Sequence, residues 1–220
     1  MNYSVEEIAK SVNLDPSDIL NVYRYGSRVY GTDDEFSDDD YIVVHKSFTI
    51  KNSYNDKLSF RQNALSSEDG QIQVIRYSRS GFLDAIDNYE IGALECLFLP
   101  EDKVIQEKLK FGVRNFEKSS VDYELNRMVK KVITKASNSW FLGNRDIENE
   151  RFERAEKAYF HALRILMFGL QIKEHRKIVD YSEANYIWDK MLDLEEPLTY
   201  DNISKDFLPL RNQLMEKLKS

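Results

Sequence analysis

The most constraining feature of this chain is a pair of β-type runs joined by a glycine-serine turn and an acidic loop. Ile19–Tyr25 (ILNVYRY) is followed by Gly26-Ser27. After Gly31, the polar stretch Thr32–Ser37 leads into Asp38-Asp39-Asp40 and then Tyr41-Ile42-Val43-Val44. Branched and aromatic side chains favour strands at both runs. Gly26-Ser27 reads as the end of the first strand and the start of a short helix. Backbone N–H groups at such a start bind phosphate oxygens, Gly26 lets a phosphate approach the backbone, and the Ser27 hydroxyl adds a donor. Alternate side chains on a strand share a face, so Asp38 and Asp40 point together and Asp39 points away. Two such carboxylates suit a hard cation, Mg2+ or Mn2+. A cation there would neutralise a nucleoside triphosphate during an in-line displacement.

The pattern along the rest of the chain has two halves. Ser4 to Val12 reads as a helix capped by Ser4, with Glu6 and Glu7 in its first turn, and Asp15-Pro16 breaks it. Lys51 to Gly70 is irregular, with room for one strand. Gln71 to Tyr77 alternates as a third strand, and Phe82–Asn88 and Gly92–Phe98 look helical up to Pro100. Beyond Pro100 the pattern is helical over Lys103–Lys118, Val121–Leu142, Asn149–Lys173, Ser182–Leu194 and Phe207–Leu218. Tyr159, Phe160, Leu163, Leu166, Met167 and Leu170 form a broad apolar helix face. The expected class is α+β: a small mixed-sheet domain over residues 1–110 and a helical domain over 111–220.

Composition narrows the function classes. The 220 residues carry a formal net charge of -7, a poor balance for non-specific nucleic-acid binding, although the 31 Lys and Arg can still form a local basic groove. The single cysteine, Cys96, excludes an intrachain disulfide and argues against a cysteine-built zinc site. The EF-hand ligand spacing is absent. There is no apolar signal core at the N-terminus, and no run approaches the roughly 18–20 apolar residues that span a bilayer. The expectation is a soluble, cytoplasmic protein without a membrane segment. Trp140, Phe141, Tyr186 and Trp188 are expected in the core rather than as stacking platforms. Lys130, Lys131 and Lys135 are read as a solvated face, with RNA guidance as the alternative.

The set Gly26, Ser27, Gly31, Ser37, Asp38 and Asp40 resembles the Gly-Ser and Ser-Asp-x-Asp pattern of the DNA polymerase beta superfamily of nucleotidyltransferases. Tyr25, Arg28 and Tyr30 look like its RNA-repair-pathway branch. So do Phe82-Leu83 with Leu94-Glu95-Cys96-Leu97-Phe98, and the helix Lys157-Ala-Tyr-Phe-His161-Ala-Leu-Arg164. The resemblance implies Asp38 and Asp40 as catalytic metal ligands. It implies a nucleotide, such as ATP, held by Gly26, Ser27, Arg28, Ser37, Lys157, His161 and Arg164. Its usual third carboxylate meets Gln71-Ile72-Gln73-Val74 here, with Glu68 and Asp69 just before the strand as the substitutes on offer. Three outcomes stay open: transfer to an RNA end, transfer to a protein or small-molecule hydroxyl, or nucleotide binding with little chemistry.

Overall fold

The computed structural model describes residues 3–46, 62–112, 121–194 and 198–220. The chain forms two compact units, Met1–Arg114 and Asn115–Ser220.

The first unit is built on a mixed sheet. Helix α1 (Val5–Ser11) begins with a capping box: Ser4 Oγ accepts from the Glu7 amide, and the Glu7 carboxylate accepts from the Ser4 amide. A 3-10 turn at Pro16–Asp18 leads into β1 (Ile19–Tyr25). Then follow α2 (Ser27–Tyr30), β2 (Asp39–His45), β3 (Gln62–Ser66), β4 (Ile72–Ser78), α3 (Arg79–Asp87), α4 (Ile91–Phe98) and β5 (Val104–Glu107). Among the described residues the sheet has five strands in the order β3-β4-β2-β1-β5. β2 runs parallel to β4, and the β1–β2, β1–β5 and β3–β4 pairs are antiparallel.

Period-two alternation splits the apolar residues between the two faces of this sheet. Val22, Tyr41, Val43, Ile72 and Val74 pack under α1 through Ile8, Ala9 and Val12. Tyr23, Ile42, Val44 and Tyr77 pack under α3 and α4 through Phe82, Ala85, Ile86, Ala93 and Cys96. Asp40 has the parity of Ile42, so its side chain lies on the α3–α4 face, at the edge where β2 begins.

Most expected elements form with bounds shifted by up to three residues, and the helix expected over Val121–Leu142 runs on to Glu148. A helix over Tyr200–Asp206 was not expected, and the start of Lys103–Lys118, expected as a helix, takes another form. A 3-10 turn at Glu101–Lys103 is followed by β5, which pairs with β1, and residues 113–118 lie outside the described residues. The open edge of β1 offers hydrogen bonds to an extended segment, and Val104-Ile105 is β-branched, so pairing outweighs the helical spacing. The part of the 51–70 loop from 51 to 61 also lies outside the described residues, and the described part carries β3.

The second unit is helical: α5 (Val121–Glu148), α6 (Phe152–His175), α7 (Asn185–Leu192), α8 (Tyr200–Asp206) and α9 (Leu208–Lys219). The long pair α5 and α6 packs closely because glycine sits at two crossing points. Gly143 lies under the Tyr159 ring and Gly169 under Val132. Trp140 is buried edge-on against Tyr159, whose hydroxyl donates to Asn144 Oδ1 at 2.7 Å. Trp188 packs on Phe160. Phe141 and Tyr186, expected in the core, are 66% and 46% exposed, since they fall on the outer faces of α5 and α7. Among the described residues no helix is long and apolar enough to cross a membrane.

Gly143→Ala tests the close crossing. Helix propensity favours alanine by about 1 kcal/mol. The new Cβ would stand 2.8 Å from the Tyr159 ring, which Trp140 and Asn144 hold in place. Overpacking of about 1–3 kcal/mol outweighs the propensity gain. Urea denaturation is expected to show a net loss of stability; a gain would mean that the ring swings aside freely.

Candidate active site

Gly26 sets the geometry of the site. Its φ of 77° with ψ of -161° is open to glycine and costly for other residues. Space excludes a side chain as well, since a Cβ on Gly26 would lie 2.1 Å from Asp40 Oδ2. The Asp40 carboxylate therefore rests against the bare Cα of the turn. Gly26 is also the N-cap of α2 and offers no side-chain cap to the first amides of that helix; Gly31, at φ 80°, closes it. The Gly-Ser turn and the acidic strand thus meet at one point.

Arg28 holds the acidic loop. Its guanidinium donates to the carbonyls of Ser37 (Nη2, 2.6 Å) and Asp38 (Nε, 3.3 Å). It also pairs with the carboxylates of Asp33 at 3.2 Å and of Asp39 at 3.2 Å. Asp39 is buried, which a carboxylate tolerates with a guanidinium beside it. Asp34 Oδ1 accepts from the Phe36 amide and from the Ser37 hydroxyl, and Ser37 Oγ accepts from the Asp34 amide. Arg28 and Ser37, both expected to contact nucleotide, are here occupied in shaping the loop. Phe36 stands out from it, 82% exposed.

The third strand position is an amide. The parallel register places Gln73 opposite Asp40, and Gln73 Nε2 donates to Asp38 Oδ2 at 2.6 Å. Gln71 lies just before β4 and is exposed. Asp69, the nearest acid, closes the β3–β4 turn by accepting from Ser67 Oγ (2.6 Å) and the Gln71 amide (3.0 Å), and these bonds lower its pKa. Among the described residues no group of three or more His, Cys, Asp or Glu side chains is arranged to hold a metal.

A buried hydrogen bond anchors the turn from behind. The Tyr30 hydroxyl, at the end of α2, donates to Glu95 Oε2 on α4 at 2.5 Å. Glu95 is 1% exposed, and a carboxyl that deep needs such partners. Its neighbour Cys96 is buried, and desolvation pushes its thiol pKa well up, so it is a poor nucleophile.

In the helical unit, Lys157 is exposed, His161 half-buried and Arg164 4% exposed, all on α6. His161 Nδ1 lies 2.7 Å from Arg164 Nη2. A guanidinium has only donors, so Nδ1 accepts and the ring proton sits on Nε2. Burial, with positive charge from Arg164 and Lys135, drives the His161 pKa well below 6.5. His161 is therefore a neutral hydrogen-bond donor at ordinary pH. The sequence placed Lys157, His161 and Arg164 on one face but could not reveal this tautomer, nor the Tyr30–Glu95 and Arg28–Asp39 pairs, which bring distant or off-face residues together.

A strand–glycine turn–acidic strand on a mixed sheet defines a protein of the nucleotidyltransferase class. The sequence matches the RNA repair pathway DNA polymerase beta family over residues 2–193, and the chain belongs to that family. Comparison with curated proteins finds no match. Among solved structures the chain is similar to a nucleotidyltransferase-like protein from Exiguobacterium sibiricum (14% identity, 92% of this chain and 68% of that one, TM-score 0.31). It is also similar to a spectinomycin adenyltransferase from Enterococcus faecialis with ATP and spectinomycin bound (12% identity, 93% of each chain, TM-score 0.41).

The depressed His161 pKa has a stability consequence. The unfolded chain takes up the proton near 6.5 and the folded chain only well below it. Stability is thus unaffected above that value and falls as the pH drops beneath it, by at most about 1.4 kcal/mol per pH unit. Between pH 7.5 and 5.5, urea denaturation should show the parent losing about 1 kcal/mol more than His161→Gln. Equal losses would mean that His161 protonates normally in the fold.

Proposed function

We propose that this chain transfers a nucleoside monophosphate from a nucleoside triphosphate to an acceptor hydroxyl, with Asp38 and Asp40 as ligands of Mg2+ or Mn2+. The observation that carries this reading is the Asp40 carboxylate lodged against Gly26, which joins the acidic pair to the phosphate-binding turn. The donor set fits a hard cation: two carboxylates on one face beside a turn that leaves room for phosphate oxygens. When bound, the cation would offset phosphate charge and that of the departing pyrophosphate. Gly26 and Ser27 would cradle the triphosphate, and Arg28 and Ser37 would hold the loop that presents Asp38. The acceptor oxygen attacks the α-phosphorus, the bond to the bridging oxygen of the β-phosphate breaks, and pyrophosphate leaves. The hydroxyl proton passes to a carboxylate of the pair or to water.

An RNA end is the favoured acceptor. Membership of an RNA-repair family supports it, as do Lys130, Lys131 and Lys135, all exposed on α5. A second reading, a nucleotide-binding protein with little turnover, draws support from Gln73 on Asp38.

The two aspartates are tested by calorimetry of nucleoside triphosphate binding with and without Mg2+. Asp38→Asn and Asp40→Asn are each expected to weaken metal-dependent binding by about tenfold or more, roughly 1.4 kcal/mol. Circular dichroism should be unchanged. Parent-like binding in both variants would overturn the assignment.

A further inference from the structure

Resting on that reading, we infer that the site holds one divalent cation, which enters with the triphosphate, and that Gln73 keeps a second cation out. The parallel pairing of β2 with β4 brings Gln73 opposite Asp40, on the same face of the sheet, and its amide nitrogen reaches Asp38 Oδ2 at 2.6 Å. A carboxylate only accepts, so the amide presents its N–H group to it. That nitrogen has no lone pair to offer a cation. With Nε2 turned to Asp38, Gln73 brings to the ligand position at most an uncharged carbonyl oxygen in place of a carboxylate, and it engages one oxygen of Asp38 as well.

Among the described residues, four nearby aspartates are already engaged elsewhere. Asp69 is engaged in the β3–β4 turn, Asp39 in its pair with Arg28, and Asp33 and Asp34 in the loop itself. Mg2+ takes about six oxygens, commonly one or two carboxylates with phosphate oxygens and water. Asp38, Asp40 and a triphosphate meet that demand once. A second dication about 3.5–4 Å from the first, as in two-metal sites, would have to share those two carboxylates, since these four aspartates are held elsewhere. Two protein charges would then face two dications at close range.

The test counts Mn2+ by electron paramagnetic resonance, in the presence of the α,β-methylene analogues of ATP, GTP, CTP and UTP in turn. The parent should bind one Mn2+ per chain with the analogue it accepts. Gln73→Asp, with Gln73→Glu beside it as the variant of native side-chain length, should bind two and show the broadening of a coupled pair. Without nucleotide, either acidic variant should bind Mn2+ about tenfold more tightly, because affinity follows ligand charge. Gln73→Ala should stay at one. Two Mn2+ in the parent would overturn the inference while leaving the proposed function standing. One Mn2+ in both acidic variants would overturn it too, because residue 73 would then not be a ligand position. No Mn2+ in the parent with any of the four analogues would sink the metal reading itself.

Discussion

Six carboxylates lie between Asp33 and Asp40, and Arg28 is the cation set among them. Left alone, such a run would spread apart through its own repulsion. A planar guanidinium with five donors can hold two carboxylates and two carbonyls at once, which an ammonium on a flexible stem cannot. Because Arg28 sits one residue into α2, the loop is tied back to the turn it left. The rest of the site depends on that closure: Asp39 is drawn inward to the cation, and by strand alternation Asp38 and Asp40 are turned to the opposite face.

Two further contacts complete the frame. The bare Cα of Gly26 makes room for Asp40, so the turn and the acidic strand share one place rather than lying side by side. Behind them, the Tyr30–Glu95 hydrogen bond links α2 to α4 inside the core. Each contact joins elements that carry the site to elements that carry the fold, so the geometry of the turn is under the same cooperative control as the packing of the sheet.

Much of the fold was legible in the sequence because local and global signals agree there. Ser4 and Glu7 announce α1, the β-branched runs announce β1 and β2, and the 3.6-residue spacing announces α6. β5 was not legible, since Val104–Glu107 takes its extended form from the open edge of β1, a partner about 80 residues away in sequence. The same limit applies to the site. Gly26, Asp38 and Asp40 could be grouped by strand alternation and turn chemistry. Arg28 beside Gly26-Ser27 reads equally well as a phosphate ligand, and only the folded loop shows where its donors go. The pairing of Gln73 with Asp38 depends on the register of two parallel strands separated by β3, which no spacing rule provides. His161 could be placed on the face of Arg164, but its tautomer follows from a 2.7 Å contact.

Asp38 and Asp40 are the residues through which nucleotidyl transfer would have to pass. The most direct measurement is transfer of label from each α-labelled nucleoside triphosphate to RNA in the presence of Mg2+ or Mn2+, with the Asp38→Ala/Asp40→Ala double variant beside the parent. Label appearing on RNA with the parent and not with the double variant is the predicted result. Equal labelling by both proteins would mean that the transfer does not pass through the paired carboxylates.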